Sequence, residues 1–143
     1  MHRLARKIAI ISLLCCQATP VLAESDTRQL VALPEMMQAH MLANMRDHLA
    51  TLDQILVVLG NGDLEQAAEL AESRLGMSSL EKHGAEHLAQ FMPPEMRQLG
   101  TNMHKAASRF ARKAQEGEAL PAYKMLSEIT TACVACHAGY RIR

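Results

Sequence analysis

Near the end of the chain, Cys133-Val134-Ala135-Cys136-His137 sets two thiols at i and i+3 and an imidazole at i+4. On a helix those three positions share one face. Two thioether bonds can then hold the edge of a porphyrin while the adjacent imidazole reaches its iron. This is the spacing of a c-type haem attachment site. His137 would be the proximal ligand, leaving the opposite axial position, the surrounding hydrogen bonds and burial to tune the metal. Two other chemistries use the same residue types. A redox dithiol of the thioredoxin kind follows a strand, and no βαβ pattern is present here. A Cys2His2 zinc site would recruit His83 and His87, spaced H-x3-H, as partners for Cys133 and Cys136. It would join ligands roughly fifty residues apart and need reduced thiols in a chain that reads as exported. Haem c is the favoured reading.

The export signal lies in the first 23 residues. His2, Arg3, Arg6 and Lys7 form a basic start, Ile8 to Cys16 a short apolar run, and Val21-Leu22-Ala23 a cleavage site of the A-x-A kind. The apolar run is too short to span a bilayer as a helix. Leu13 and Leu14 occupy positions where small residues precede a lipidated cysteine, which disfavours a lipoprotein at Cys15 or Cys16. The expectation is a signal peptide over 1–23, a mature chain over 24–143 with no membrane span, and a periplasmic location. Of 143 residues, 120 then remain; the basic count falls from 15 to 12 against 15 acids, a net charge near −3. Cys133 and Cys136 become the only cysteines, so a haem attached through both leaves no free thiol. Mild acidity, with no basic patch or interleaved aromatics, argues against a nucleic-acid partner.

A chain of this size suits one domain, and its Ala, Leu, Met, Glu and Gln content favours helices over strands. Residues 24–33 read as a loose lead-in. A long first helix runs from Pro34-Glu35 to Leu59, with Met41, Met45, His48, Leu52, Ile55 and Leu59 stepping by three and four along a seam. Gly60-Asn61-Gly62 ends it, and Asp63 caps a second helix striped by Leu64, Ala67, Ala68, Ala71 and Leu75. Ser78-x-x-Glu81 has the form of a capping box, with a short helix after it to about Phe91. Beyond Pro93-Pro94 a third long helix runs from Glu95 to about Gln115, burying Met96, Leu99, Met103, Ala106, Ala107 and Phe110. The fourth runs from about Leu120 to Tyr140, with Met125, Ile129, Ala132 and Cys136 on one face. These elements predict an all-α, antiparallel four-helix bundle with the haem held near one end.

In such a bundle the first and last helices are antiparallel neighbours. Met41 and His137 would then both lie about 9 Å from the same end at ~1.5 Å per residue. Met41 is thus the candidate sixth ligand, with Met37 and Met45 as neighbours in register. The competing reading makes the methionine stripe ordinary core packing, with the iron left open. His48 is the one histidine on the seam; His40 faces away from it, and His83, His87 and His104 read as solvated or loop histidines.

The tail Cys133-Val-Ala-Cys136-His137-Ala-Gly-Tyr140-Arg141 resembles the C-terminal CxxCHxxYR signature of the cytochrome c-prime family, the class II c-type cytochromes. Met41-Leu42-Ala43-Asn44 is similar to the distal stretch of its low-spin members, whose ligand would fall on Met41. The resemblance implies a four-helix bundle, haem c, a periplasmic location, often a homodimer, and a basic residue, here Arg141, beside the proximal imidazole. It departs at Met37, where many members carry an arginine near a haem propionate, so the propionate partner is unassigned. Two functions follow from different classes. One is electron transfer with a redox partner protein through His/Met ligation, without enzymatic catalysis. The other is binding of NO or CO at an open iron. A peroxidase would want distal acid–base groups, and only His48 offers itself. Electron transfer is the expectation. The secreted protein should have the intact mass of a chain beginning at Glu24; a retained leader or an acylated cysteine would overturn the export reading.

Overall fold

A computed structural model describes residues 25–143 of the chain. The leader expected over 1–23, with Cys15 and Cys16, lies outside the described residues. The fold is all-α: helices α1 (Glu35–Gly60), α2 (Leu64–Arg74), α3 (Ala85–Ala89), α4 (Pro94–Gln115) and α5 (Ala119–Gly139), with two short strands, β1 (Gln29–Leu30) and β2 (Tyr140–Arg141).

The boundaries follow from local chemistry. Pro34 and Pro93 stand at the N-caps of α1 and α4, where an extended backbone suits a fixed φ and no intrahelical N–H is lost. The Asp63 carboxylate accepts the backbone N–H of Gln66 at 2.9 Å and starts α2. Gly62 and Gly117 take positive φ in the two tight turns, which a Cβ would strain.

Helix α4 is the hub. It packs along both α2 and α5, and α1 packs along α2. Alanines permit the close approach: Ala67, Ala68 and Ala71 of α2 meet Ala106, Ala107, Ala111 and Ala114 of α4 in one buried cluster. Phe110, Ile55, Leu75 and Ile129 fill its centre and are fully buried. The seam predicted on α1 is largely the observed one, with Met41, His48, Ile55 and Leu59 buried and Thr51 added. By contrast, the backbones of α1 and α5 approach one another less closely than those of α1 and α2 or α4 and α5, although Ile55 and Leu59 share the buried cluster with Leu126 and Ile129. A second, methionine-rich cluster sits apart from the main core and joins Val31, Met41, Leu88 and Met96 to Met37, Met45, Met92 and Cys136.

Two segments differ from expectation. The lead-in is not loose: Gln29 and Leu30 pair in parallel with Tyr140 and Arg141, and the Val31 N–H donates to the Arg141 carbonyl at 2.8 Å. This pairing ties the start of the described chain to the segment that follows His137. The stretch after α2 does not use its capping box. The Ser78 hydroxyl and N–H both donate to Glu72, Met77–Ser79 forms a single 3-10 turn, and α3 begins only after Gly84 at φ 59°. A side chain at Gly84 would also meet the His40 ring, 3.0 Å from the Cβ position. Among the described residues no helix is long and apolar enough to cross a membrane.

Phe110 is the largest of the fully buried side chains among the described residues, so Phe110→Ala should destabilise the protein by about 3–5 kcal/mol through lost burial and a residual cavity. Urea unfolding of the two proteins checks this; a cost under ~1 kcal/mol would mean that the core does not close around it.

Candidate functional site

The gap between α1 and α5 contains the site. A cavity of about 490 Å³ is lined from α1 by Met41, Leu42 and Met45, from α4 by Met96 and Gly100, and from α5 by Cys136 and His137. Arg28, Arg141 and Arg143 also line it. Met41 is 7% exposed, the most buried member of the α1 methionine cluster. His137 is exposed, and its ring makes no hydrogen bond among the described residues. The structure therefore brings Met41, Cys136, His137 and Arg141 to one cavity. Cys133, one helical turn before Cys136, is half-buried and packs against the main core.

Burial raises both thiols above the ordinary range, and the neighbouring Cys133 adds to the effect on Cys136. A thiol poised for exchange is shifted the other way by cationic neighbours or a helix N-terminus. Cys133 and Cys136 lie instead at the C-terminal end of α5, which disfavours a thiolate. The dithiol reading loses support on these grounds. The Cys2His2 reading fails geometrically. Among the described residues the metal-capable group is His48, His83 and His104, which includes neither cysteine, and His87 is exposed elsewhere.

The haem group that the CxxCH spacing implies can be tested against what surrounds the cavity. Its walls are mainly thioether and aliphatic, and its volume is in the range of pockets that enclose a cofactor. Arg141 Nε is buried without a hydrogen-bond partner, its nearest anion being Asp26 at 3.5 Å. An orphaned guanidinium nitrogen beside an apolar slot suits a group that is flat and apolar with carboxylates at one edge. Arg28 is held there from the lead-in: it pairs with Asp26 at 2.7 Å, and its Nη1 donates to the His137 carbonyl at 3.4 Å. The hydrogen bond from the Arg28 side chain to Asp26 draws the exposed Asp26 carboxyl down to about 2. The residues present fit the group.

Sequence reasoning missed Arg28 and Arg143 because both lie in segments without periodicity; the strand pairing that delivers Arg28 spans more than a hundred residues. It also missed a histidine cluster. His83 lies in a loop, as expected, and His104 on α4, yet they are 4% and 7% exposed, and with His48 at 8% they form one buried cluster. His40 Nε2 and Asn44 Nδ2 each lie 2.8 Å from the His83 carbonyl and hold that loop against α1. No family model, curated protein or solved structure matches the chain.

Burial lowers all three imidazoles, His48 to about 4. The charges of His83 and His104 depress His48 further, and Asp47 opposes them. The sign follows from proton uptake: the unfolded chain, with ordinary histidines near 6.5, binds protons that the folded one refuses. Stability is complete above about pH 6.5 and should fall as pH drops toward 4, with His48 alone contributing on the order of 3 kcal/mol. Urea midpoints at pH 7 and pH 4.5 measure the fall, which His48→Gln should flatten; equal midpoints in the wild type would contradict it.

Proposed function

We propose that the chain is a periplasmic c-type cytochrome that carries electrons, with haem c attached through Cys133 and Cys136 and held axially by His137 and Met41. The single observation that carries this reading is the convergence of Met41 and the CxxCH helix on one apolar cavity. In this reading α1, α2, α4 and α5 form an antiparallel four-helix bundle, with α3 in the longer link. Support comes from the packing order α1–α2, α2–α4, α4–α5 and from the short turns after α1 and α4.

Bound haem supplies a one-electron Fe(III)/Fe(II) couple. The chain's own residues set its conditions. Thioethers at Cys133 and Cys136 fix the group to α5 without dependence on axial affinity. The His137 ring makes no competing hydrogen bond among the described residues and is carried on the same helix, so attachment orients it. Met41 offers a neutral, soft sulfur that favours the reduced metal and raises the potential above that of a histidine alone. Its position on a packed helix rather than a loop keeps the ligand set constant on electron transfer. Arg141, Arg28 and Arg143 balance carboxylates at the cavity's polar side and fill the role left open at Met37. The redox partner in this reading is a protein.

Acidified-solvent extraction should leave haem on the wild type, and Cys133→Ala combined with Cys136→Ala should release it. The wild type should be low-spin and inert to CO. Met41→Ala should become high-spin and bind CO at once, whereas Met45→Ala should stay low-spin. Extractable haem would overturn the attachment. A wild type that is already high-spin and takes up CO or NO would replace the electron carrier by a five-coordinate gas-binding protein, for which the same apolar walls would serve as a distal pocket.

A further inference from the structure

A second cavity also borders Met41 and Met45, and three of its polar members, beside Asn44, Arg97 and Thr101, are histidines. His48 comes from the middle of α1, His83 from the loop before α3 and His104 from α4. One ring nitrogen from each lies within 4.8 Å of the others. The ring centroids stand 4.7 Å apart for His48–His83 and 5.7 Å for each of the other two pairs.

Three imidazoles buried together must each account for two ring nitrogens, and they do not do so among themselves. His104 Nδ1 lies 2.7 Å from the Leu75 carbonyl. A carbonyl only accepts, so Nδ1 carries the proton and Nε2 keeps its lone pair. That Nε2 has no hydrogen-bond partner among the described residues. His83 Nε2 is buried without a partner, as is Asp47 Oδ2, and the two lie 3.9 Å apart. With its Nε2–H facing that carboxylate, His83 keeps a lone pair at Nδ1; the Ser79 Oγ lies 3.3 Å from that nitrogen, but its hydroxyl donates to the Gly76 carbonyl at 2.7 Å and leaves the lone pair unengaged. His48 Nε2 stands 3.4 Å from His83 Nδ1. Two nitrogens bound tetrahedrally to one ion at ~2.0–2.1 Å are separated by about 3.3 Å. The backbone carbonyl on His104 and the carboxylate near His83 are the outer partners that metal-bound imidazoles take.

We propose that His48, His83 and His104 bind one divalent first-row transition-metal ion, zinc in the first instance, in a site separate from the CxxCH cavity. Three nitrogen donors with no carboxylate among them exclude calcium and magnesium, which require oxygen. Imidazole suits zinc, copper and nickel, and zinc imposes no geometry of its own on three convergent rings. Three protein ligands leave a fourth position, and the rings line a cavity whose other walls include Met41, Met45, Leu88, Met92 and Met103. Met41, Met45, Met92 and Gly100 border both cavities, so the ion would sit beside the wall that carries the proposed axial sulfur.

The test uses the mature protein as purified, stripped with a chelator and titrated with Zn(II), with zinc and iron counted separately by elemental mass spectrometry. One zinc per chain is expected, with a shell of nitrogen and oxygen at ~2.0–2.1 Å and no sulfur in zinc X-ray absorption. His83→Asn should weaken binding by at least ~100-fold and Asp47→Asn by ~10–100-fold. His87→Asn, an exposed residue of the adjoining α3, should not change it. Zinc should raise the Tm of the wild type and not that of His83→Asn. If His83→Asn fails to fold, Asp47→Asn and the wild-type absorption spectrum still decide. The proposal is overturned by substoichiometric zinc in the wild type, by an affinity that His83→Asn leaves unchanged, or by sulfur in the zinc shell. Sulfur would place the ion on Cys133 and Cys136 and would also sink the haem reading, whereas failure at the histidines alone leaves that reading intact.

Discussion

The structure depends on an asymmetry of helix spacing. Alanines on α2 and α4 let those helices approach closely, and α4 presses α5 against the same cluster around Phe110. Interior packing is dense enough that a missing methylene is felt, so this side of the molecule has little freedom. α1 runs close along α2, and no comparably close backbone approach bridges it to α5. The gap is a consequence of side-chain volume: small residues close one interface, while the long flexible thioethers of Met41 and Met45 stand at the other. Methionine suits a wall that must adapt to whatever fills the space beside it.

The periodic part of this arrangement was legible in the sequence. The stripes on α1 and α2, the Phe110 face of α4 and the Asp63 cap required only local rules, because helix geometry repeats within a few residues. The dense cysteine–histidine spacing on α5 was legible for the same reason. What escaped was assembled from distant positions. His48, His83 and His104 belong to three elements and share no motif, so a sequence shows them as three unrelated histidines. The capping box at Ser78 misled because Glu72, six residues earlier, takes its hydroxyl. Local propensity lost to a tertiary contact. Arg28 was invisible because its place is fixed by pairing with the far end of the chain.

The loop between α2 and α4 is better understood as a bracket than as a connection. Its backbone is fastened to α1 at the His83 carbonyl by His40 and Asn44, and to α4 where the Met77 N–H donates to the Ser108 hydroxyl at 2.9 Å. Hydrogen bonds of this kind contribute modestly to stability, about 1 kcal/mol each. Their larger effect here is positional. They press His83 toward His48 and His104, and the adjoining helix α3 adds Leu88 to the methionine cluster. Removing the loop would expose the histidines and one wall of Met41 together.

That coupling ties the two proposed sites to one element. Met41 borders both cavities, so any shift of α1 that opens one must alter the other. A ligand bound at the histidines would fix α1, the loop and α4 relative to each other, and a group bound at the CxxCH helix would fix α1 relative to α5. Each restrains a different pair of neighbours of the same helix. In the proposed reading the Met41 sulfur would depend on both for its position: the wider α1–α5 spacing leaves α5 alone a weak hold on α1, and the histidine side alone leaves the gap to α5 unset. The electron-carrier reading requires a sulfur whose position does not change with oxidation state. An α1 braced from both sides meets that requirement in a way that a helix braced from one side does not.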